Sequence, residues 1–226
     1  MDMPNVLPPT LTNELWRKKI EIASKNASAN YSFYMGSSNE NIEEIKAINP
    51  FEVCGVKVFM GSSTGNLLVD NEESLNLIFR DSPVLIATHC EDTPMIKAAE
   101  ERFKAQYGKN IPIEAHADIR SREACLKSSM KAVDLAKKFN QNLHILHIST
   151  AEELSLFSTQ PIEEKLITAE VCIPHLYFNS DDYQTKGTLI KCNPSIKSPS
   201  DQLALKDALK TGLIDFVATD HAPHIL

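Results

Sequence analysis

GVKVFM, Gly55–Met60, sets a lysine inside an apolar run of strand length. Lysine is almost never fully buried without a partner, so Lys57 is the residue in this run that needs a chemical explanation. Runs of the same kind recur along the chain. Residues 30–35 (NYSFYM), 54–60 (CGVKVFM), 83–90 (PVLIATHC), 142–149 (NLHILHIS), 165–173 (KLITAEVCI) and 215–221 (DFVATDH) each read as a strand. Amphipathic stretches between them predict helices over 41–48, 71–80, 93–107, 121–139 and 200–210, and Thr150 opens another in TAEELSLF. Near-continuous apolar strands separated by helices predict a parallel α/β sheet with both faces covered.

That alternation suits an open sheet or a closed barrel equally well. Neither GxGxxG nor GxxxxGK[ST] occurs, so the phosphate-loop signatures of nucleotide-binding open sheets are missing. Lys57, His89, His147, Glu170 and Asp220 stand toward the C-terminal ends of the expected strands. A (β/α)8 barrel assembles its site from several strand ends at once, whereas an open sheet concentrates it at one switch point. The expectation is a barrel. No composition break, repeat or low-complexity segment interrupts residues 1–226, so a single domain is expected over that range.

Composition narrows the function. A formal net charge of −7 with no Lys/Arg run argues against a nucleic-acid surface. The apolar fraction of 42% and charged fraction of 23% are those of an ordinary soluble domain. No apolar run approaches the roughly 20 residues of a membrane span. Five widely spaced cysteines without a CxxC form neither a disulfide framework nor a zinc ribbon. A reducing cytoplasm is the expected compartment, and the N-terminus MDMPNVLPPTLT lacks the features of a signal peptide.

Each polar candidate has a plain reading beside a chemical one. Lys57 could carry its amine out to water or pair with a carboxylate. Alternatively, burial could lower its pKa so that the neutral amine takes up carbon dioxide as a metal-bridging carbamate. His89 in THCEDT and His147 in LHILHIST could be hydrogen-bonded rim residues or ligands. Asp220 in ATDHAPH could be a turn former or a ligand that is also a general acid/base. Imidazole nitrogen and carboxylate oxygen are the donors catalytic zinc uses. His144, within its strand, reads as structural, and His116 sits in a loop between helices without comparable context. Glu91 and Asp92 read as a helix N-terminal charge pair in preference to groups orienting His89.

Taken together, these motifs resemble the cyclic amidohydrolases, and among them dihydroorotase. DMPN (Asp2–Asn5), GVKVFMGSSTGN, HCED, HIST, TAEVCIPH, CNPSIKS and TDHAPH occur in that family's order. The resemblance implies an incomplete (β/α)8 barrel comprising strands two to eight. It implies metal ligands at Lys57 (carboxylated), His89, His147 and Asp220, one or two zinc ions with two in a complete protein, and Asp220 as proton carrier. Substrate contacts are implied at Asn5, Asn193 and His224. The implied reaction is the reversible closure of N-carbamoyl-L-aspartate to dihydroorotate in pyrimidine biosynthesis, with a homodimer as the family's common state. A hydantoinase- or allantoinase-like cyclic amidase, or a non-catalytic scaffold for a partner such as aspartate carbamoyltransferase, is the alternative. Asn5, HCED and Asn193 favour dihydroorotase. The first-strand DxHxHxR of the family has no counterpart here, which implies that these residues alone are inactive and poorly soluble. Lys197 stands where the family more often has arginine, and it receives no role.

Overall fold

The computed structural model describes residues 1–61 and 65–222. The chain divides into two compact units: Met1–His89 with Ala132–His144, and Cys90–Lys131 with Ile145–Leu226. Among the described residues, six strands lie in the sheet order β1-β2-β3-β4-β5-β6, which is chain order. These are β1 Met35–Gly36, β2 Val56–Phe59, β3 Ile86–His89, β4 Leu143–Ile145, β5 Ile167–Cys172 and β6 Phe216–Ala218. The expected α/β alternation is therefore present, with β2 to β6 each shorter than the apolar run containing it and β1 extending one residue past its run. Tertiary pairing stops where the ladder stops, whereas apolar runs continue into buried loop ends.

In the first unit, β1–β2 and β2–β3 pair in parallel, with Gly36 opposite Lys57 and Phe59 opposite His89. Every residue of β2 and β3 is buried, as a parallel strand covered on both faces requires. The pairing is close at Gly55. A Cβ there would lie 2.8 Å from the Leu85 carbonyl oxygen and 2.8 Å from the Tyr34 ring. Helix α3, Glu72–Asp81, is capped by Asn71 and buries Leu75, Ile78 and Phe79, one face of a 3.6-residue period.

Helix α1, Asn13–Asn26, follows no apolar stripe and was not expected. It buries only Trp16, whose Nε1 donates to the Phe33 carbonyl at 2.9 Å, and it starts on the Thr12 cap. The expected strand over 30–35 is reduced to β1 plus a bridge between Asp2 and Phe33. Helix α2 is the short Ile42–Lys46.

In the second unit, α4 Thr93–Tyr107 starts on Asp92, whose side chain accepts from Met95 N at 3.0 Å. Helix α5 His116–Ile119 follows, and α6 Arg122–Phe139 begins in this unit and continues into residues assigned to the first. The helix expected from Thr150 is a five-residue 3-10 turn, Glu152–Leu156. Its Glu153 is wholly buried and receives Ser129 Oγ at 2.6 Å and Thr150 Oγ1 at 2.9 Å. That local carboxylate tie ends the turn before an α-helix develops. Helices α7 Ile173–Tyr177, α8 Tyr183–Lys186 and α9 Pro199–Lys210 complete the unit, α9 with a Ser198–Asp201 capping box.

Strand β6 is joined to β5 in register, Glu170 opposite Phe216 and Cys172 opposite Ala218. A buried Lys165–Asp215 ion pair of 2.6 Å stands at the start of both strands. Phe216 and Val217 remain nearly half exposed, at 45% and 47%. All five cysteines are free. Among the described residues, no helix is long and apolar enough to cross a membrane.

Candidate metal and substrate site residues

Lys57 and His89 both lie in the first unit. Lys57 is the second residue of β2 and is 2% exposed, so its amine is buried and does not reach water. It packs on Phe59, two residues along the same strand face, with Nζ 4.1 Å from the ring centroid. Phe59 pairs in register with His89, the last residue of β3, and their rings are 6.1 Å apart. The two candidates therefore flank one aromatic ring. His89 is 4% exposed.

His147 and Asp220 lie in the second unit and are held differently. Each stands two residues beyond the end of its strand, in left-handed backbone: φ is 40° at His147 and 46° at Asp220. Asn140, at 52°, is the third such non-glycine residue among those described. Left-handed backbone is uncommon outside glycine and clusters at functional sites. His147 is buried, while Asp220 is exposed. Burial first, then the Glu170 and Asp220 carboxylates, raise the Cys172 thiol. Burial pushes Cys192 up to about 12, and Asp220 adds to that rise. The Asp220 charge is therefore felt at the loop carrying Asn193.

Asn193 is exposed and borders a cavity of about 300 Å³, also lined by His116, Arg120 and Lys191. Asn5 is exposed in the N-terminal segment of the first unit. His224 lies outside the described residues. His144 is buried within β4.

The adjacent acids of HCED separate. Asp92 caps α4 and pairs with Lys127 at 2.9 Å, as a helix N-terminal charge should. Glu91 corrects the paired reading. It is fully buried and ion-paired with Arg120, a residue to which the sequence reading gave no role. Lys197 is buried too, with its amine donating to Ser195 Oγ at 2.8 Å and to the Ser195 carbonyl at 3.1 Å. His175 and His116 are a further pair of buried rings, each bonded to a backbone carbonyl of the same loop. Their partners are 19 and 76 residues away in sequence, so no local pattern announces them.

The donors are those zinc takes in kind: two imidazoles and a carboxylate, with a buried lysine beside one of them. Among the described residues, no three His, Cys, Asp or Glu side chains are grouped as a metal site. Lys57 enters such a count only once its amine carries a carboxylate.

No family model matches the chain. It is 30% identical over its whole length to a dihydroorotase of Methanosarcina mazei, covering 50% of that protein. It is 29% identical over 98% of its length to an allantoinase of Bacillus velezensis, again covering 50%. In structure it is similar to the L-hydantoinase of Arthrobacter aurescens, with a TM-score of 0.90 at 24% identity over 97% of this chain and 49% of that one. The chain thus spans about half the length of the curated relatives it matches. Its parallel strand–helix order follows an incomplete barrel of this kind, and its similarity runs end to end with cyclic amide hydrolases. In sequence the chain is similar along its length to a dihydroorotase and to an allantoinase, and it shares the fold of an L-hydantoinase.

Proposed function

We propose that the protein acts as a zinc-dependent dihydroorotase, reversibly closing N-carbamoyl-L-aspartate to dihydroorotate. The observation that carries this reading is Lys57, 2% exposed on β2 and flanking Phe59 together with His89. A buried amine is driven toward its neutral form, which is the form that can take up carbon dioxide as a carbamate. Lys57, His89, His147 and Asp220 would hold one or two zinc ions, which supply Lewis acidity toward the ring carbonyl and toward water. Asp220 is exposed, and its carboxylate oxygen would take the proton from water and pass it to the ring nitrogen. The amides of Asn5 and Asn193 would hold the ring and its carboxylate, with His224 as a further partner. Five free cysteines support a reducing, cytoplasmic setting, and a homodimer is the assembly expected.

A second reading is favoured by the near-equal similarity to allantoinase, 29% against 30%. The test is hydrolysis of dihydroorotate by the full-length protein with zinc, followed by ultraviolet absorbance. Turnover abolished by a chelator supports dihydroorotase. Bound zinc without turnover, together with activity on allantoin or hydantoin, selects the second reading. Neither zinc nor turnover on any of the three substrates leaves a non-catalytic scaffold.

A further inference from the structure

The segment around Asn193 is fastened in an unusual way. Three of the four carbonyls from Cys192 to Ser195 accept from buried side chains. His116 Nε2 lies 2.9 Å from the Cys192 oxygen. His175 Nε2 lies 3.0 Å from the Pro194 oxygen. Lys197 Nζ lies 3.1 Å from the Ser195 oxygen and 2.8 Å from Ser195 Oγ, which itself donates to the Arg120 carbonyl at 3.0 Å. The three donors are 8%, 4% and 5% exposed, whereas Asn193 between their acceptors is exposed.

A carbonyl can only accept, so both imidazoles carry their proton on Nε2. His175 Nδ1 is buried without a hydrogen-bond partner. A second proton there would be unsolvated, and burial accordingly holds the ring neutral, with a pKa lowered to about 4. Burial lowers His116 as well. The clamp therefore keeps one tautomer through the neutral range. Loops usually satisfy such carbonyls with water. Here three protein donors fix the backbone on both sides of one exposed amide.

We propose that His116, His175 and Lys197 are positioning residues that clamp residues 192–195, so that the Asn193 amide is presented to the ring substrate in a single orientation. This rests on the reading of Asn193 as a substrate contact. The test uses full-length, zinc-loaded protein carrying Cys54→Ser, which leaves Cys192 as the partly exposed thiol to report on the loop. At His116 and at His175, glutamine places an amide N–H near the Nε2 position, while asparagine is too short to reach. Losing the donor strands a buried carbonyl, so asparagine should speed the reaction of Cys192 with a disulfide reagent about tenfold, and glutamine less than about twofold. KM for dihydroorotate should rise about tenfold with asparagine while kcat holds within about threefold, and glutamine should restore KM.

Unchanged Cys192 reactivity in folded asparagine variants overturns the clamp. Faster Cys192 reaction with unchanged KM keeps the clamp but removes Asn193 from substrate contact. If His175→Asn does not fold, the His116 pair decides, because that ring is at the cavity edge.

Discussion

The two units hold their candidate residues by opposite means. In the first, Lys57 and His89 are part of the ladder itself, and their places follow from strand register. In the second, His147 and Asp220 stand past their strands, in backbone that most side chains avoid. The same unit carries buried polar pairs: Glu91 with Arg120, Glu153 with Ser129 and Thr150, and Lys197 with Ser195. A ladder fixes position through many equivalent bonds and tolerates no extra volume. A strained exit fixes position through a few specific bonds, and its weak point is charge and pairing.

Different substitutions should therefore break the two units. The largest expected effect is at the exit. Asp220→Asn in the full-length enzyme should lower kcat about 1,000-fold, with unchanged circular dichroism because the side chain is exposed. A residual rate near wild type would remove Asp220 from proton transfer. Next, Arg120→Met takes the guanidinium away from the buried Glu91 carboxylate and should cost about 3–5 kcal/mol of stability in urea unfolding. A cost below about 1 kcal/mol would mean that the pair is dispensable.

The third effect depends on pH. His175 has its folded pKa lowered to about 4, so above the ordinary histidine range both folded and unfolded states leave it neutral. As pH falls from about 6.5 toward 4, the unfolded state binds a proton that the folded state refuses, and about 3 kcal/mol of stability should be lost. His175→Gln should flatten that slope. If it does not, the acid sensitivity lies elsewhere.

In the first unit, Gly55→Ala should cost about 2 kcal/mol, because its methyl meets the Leu85 carbonyl. The loss should be independent of pH, unlike that of the second unit. The smallest effect separates strain from function. Asn140→Gly, at a left-handed position following α6, should change stability by no more than about 0.5 kcal/mol and leave activity untouched.

Most of the fold was legible because five of the six apolar runs contain a strand and every amphipathic stretch except the one after Thr150 contains a helix. What escaped was set by long-range partners. Helix α1 has a single buried apolar side chain, and that residue is held by a bond to Phe33. The stretch after Thr150 has helical spacing, yet Glu153 turns back onto Thr150 and Ser129. The ladder residues Lys57 and His89 stood out as polar groups in apolar runs. His116, His175, Arg120 and Lys197 did not, since their partners are carbonyls and carboxylates on other elements. Adjacent Glu91 and Asp92 look equivalent as letters, and only packing separates the buried one from the cap.

The left-handed backbone at positions 147 and 220 also restricts which chemistries evolution can place there. Asparagine, aspartate, histidine and glycine enter that conformation readily, while β-branched and bulky side chains do not. A carboxylate at 220 is thus far easier to keep as aspartate than as glutamate, though the acid group is the same. Mutational libraries at these two positions should return a narrow alphabet even when selected for folding alone, before any demand for activity is imposed.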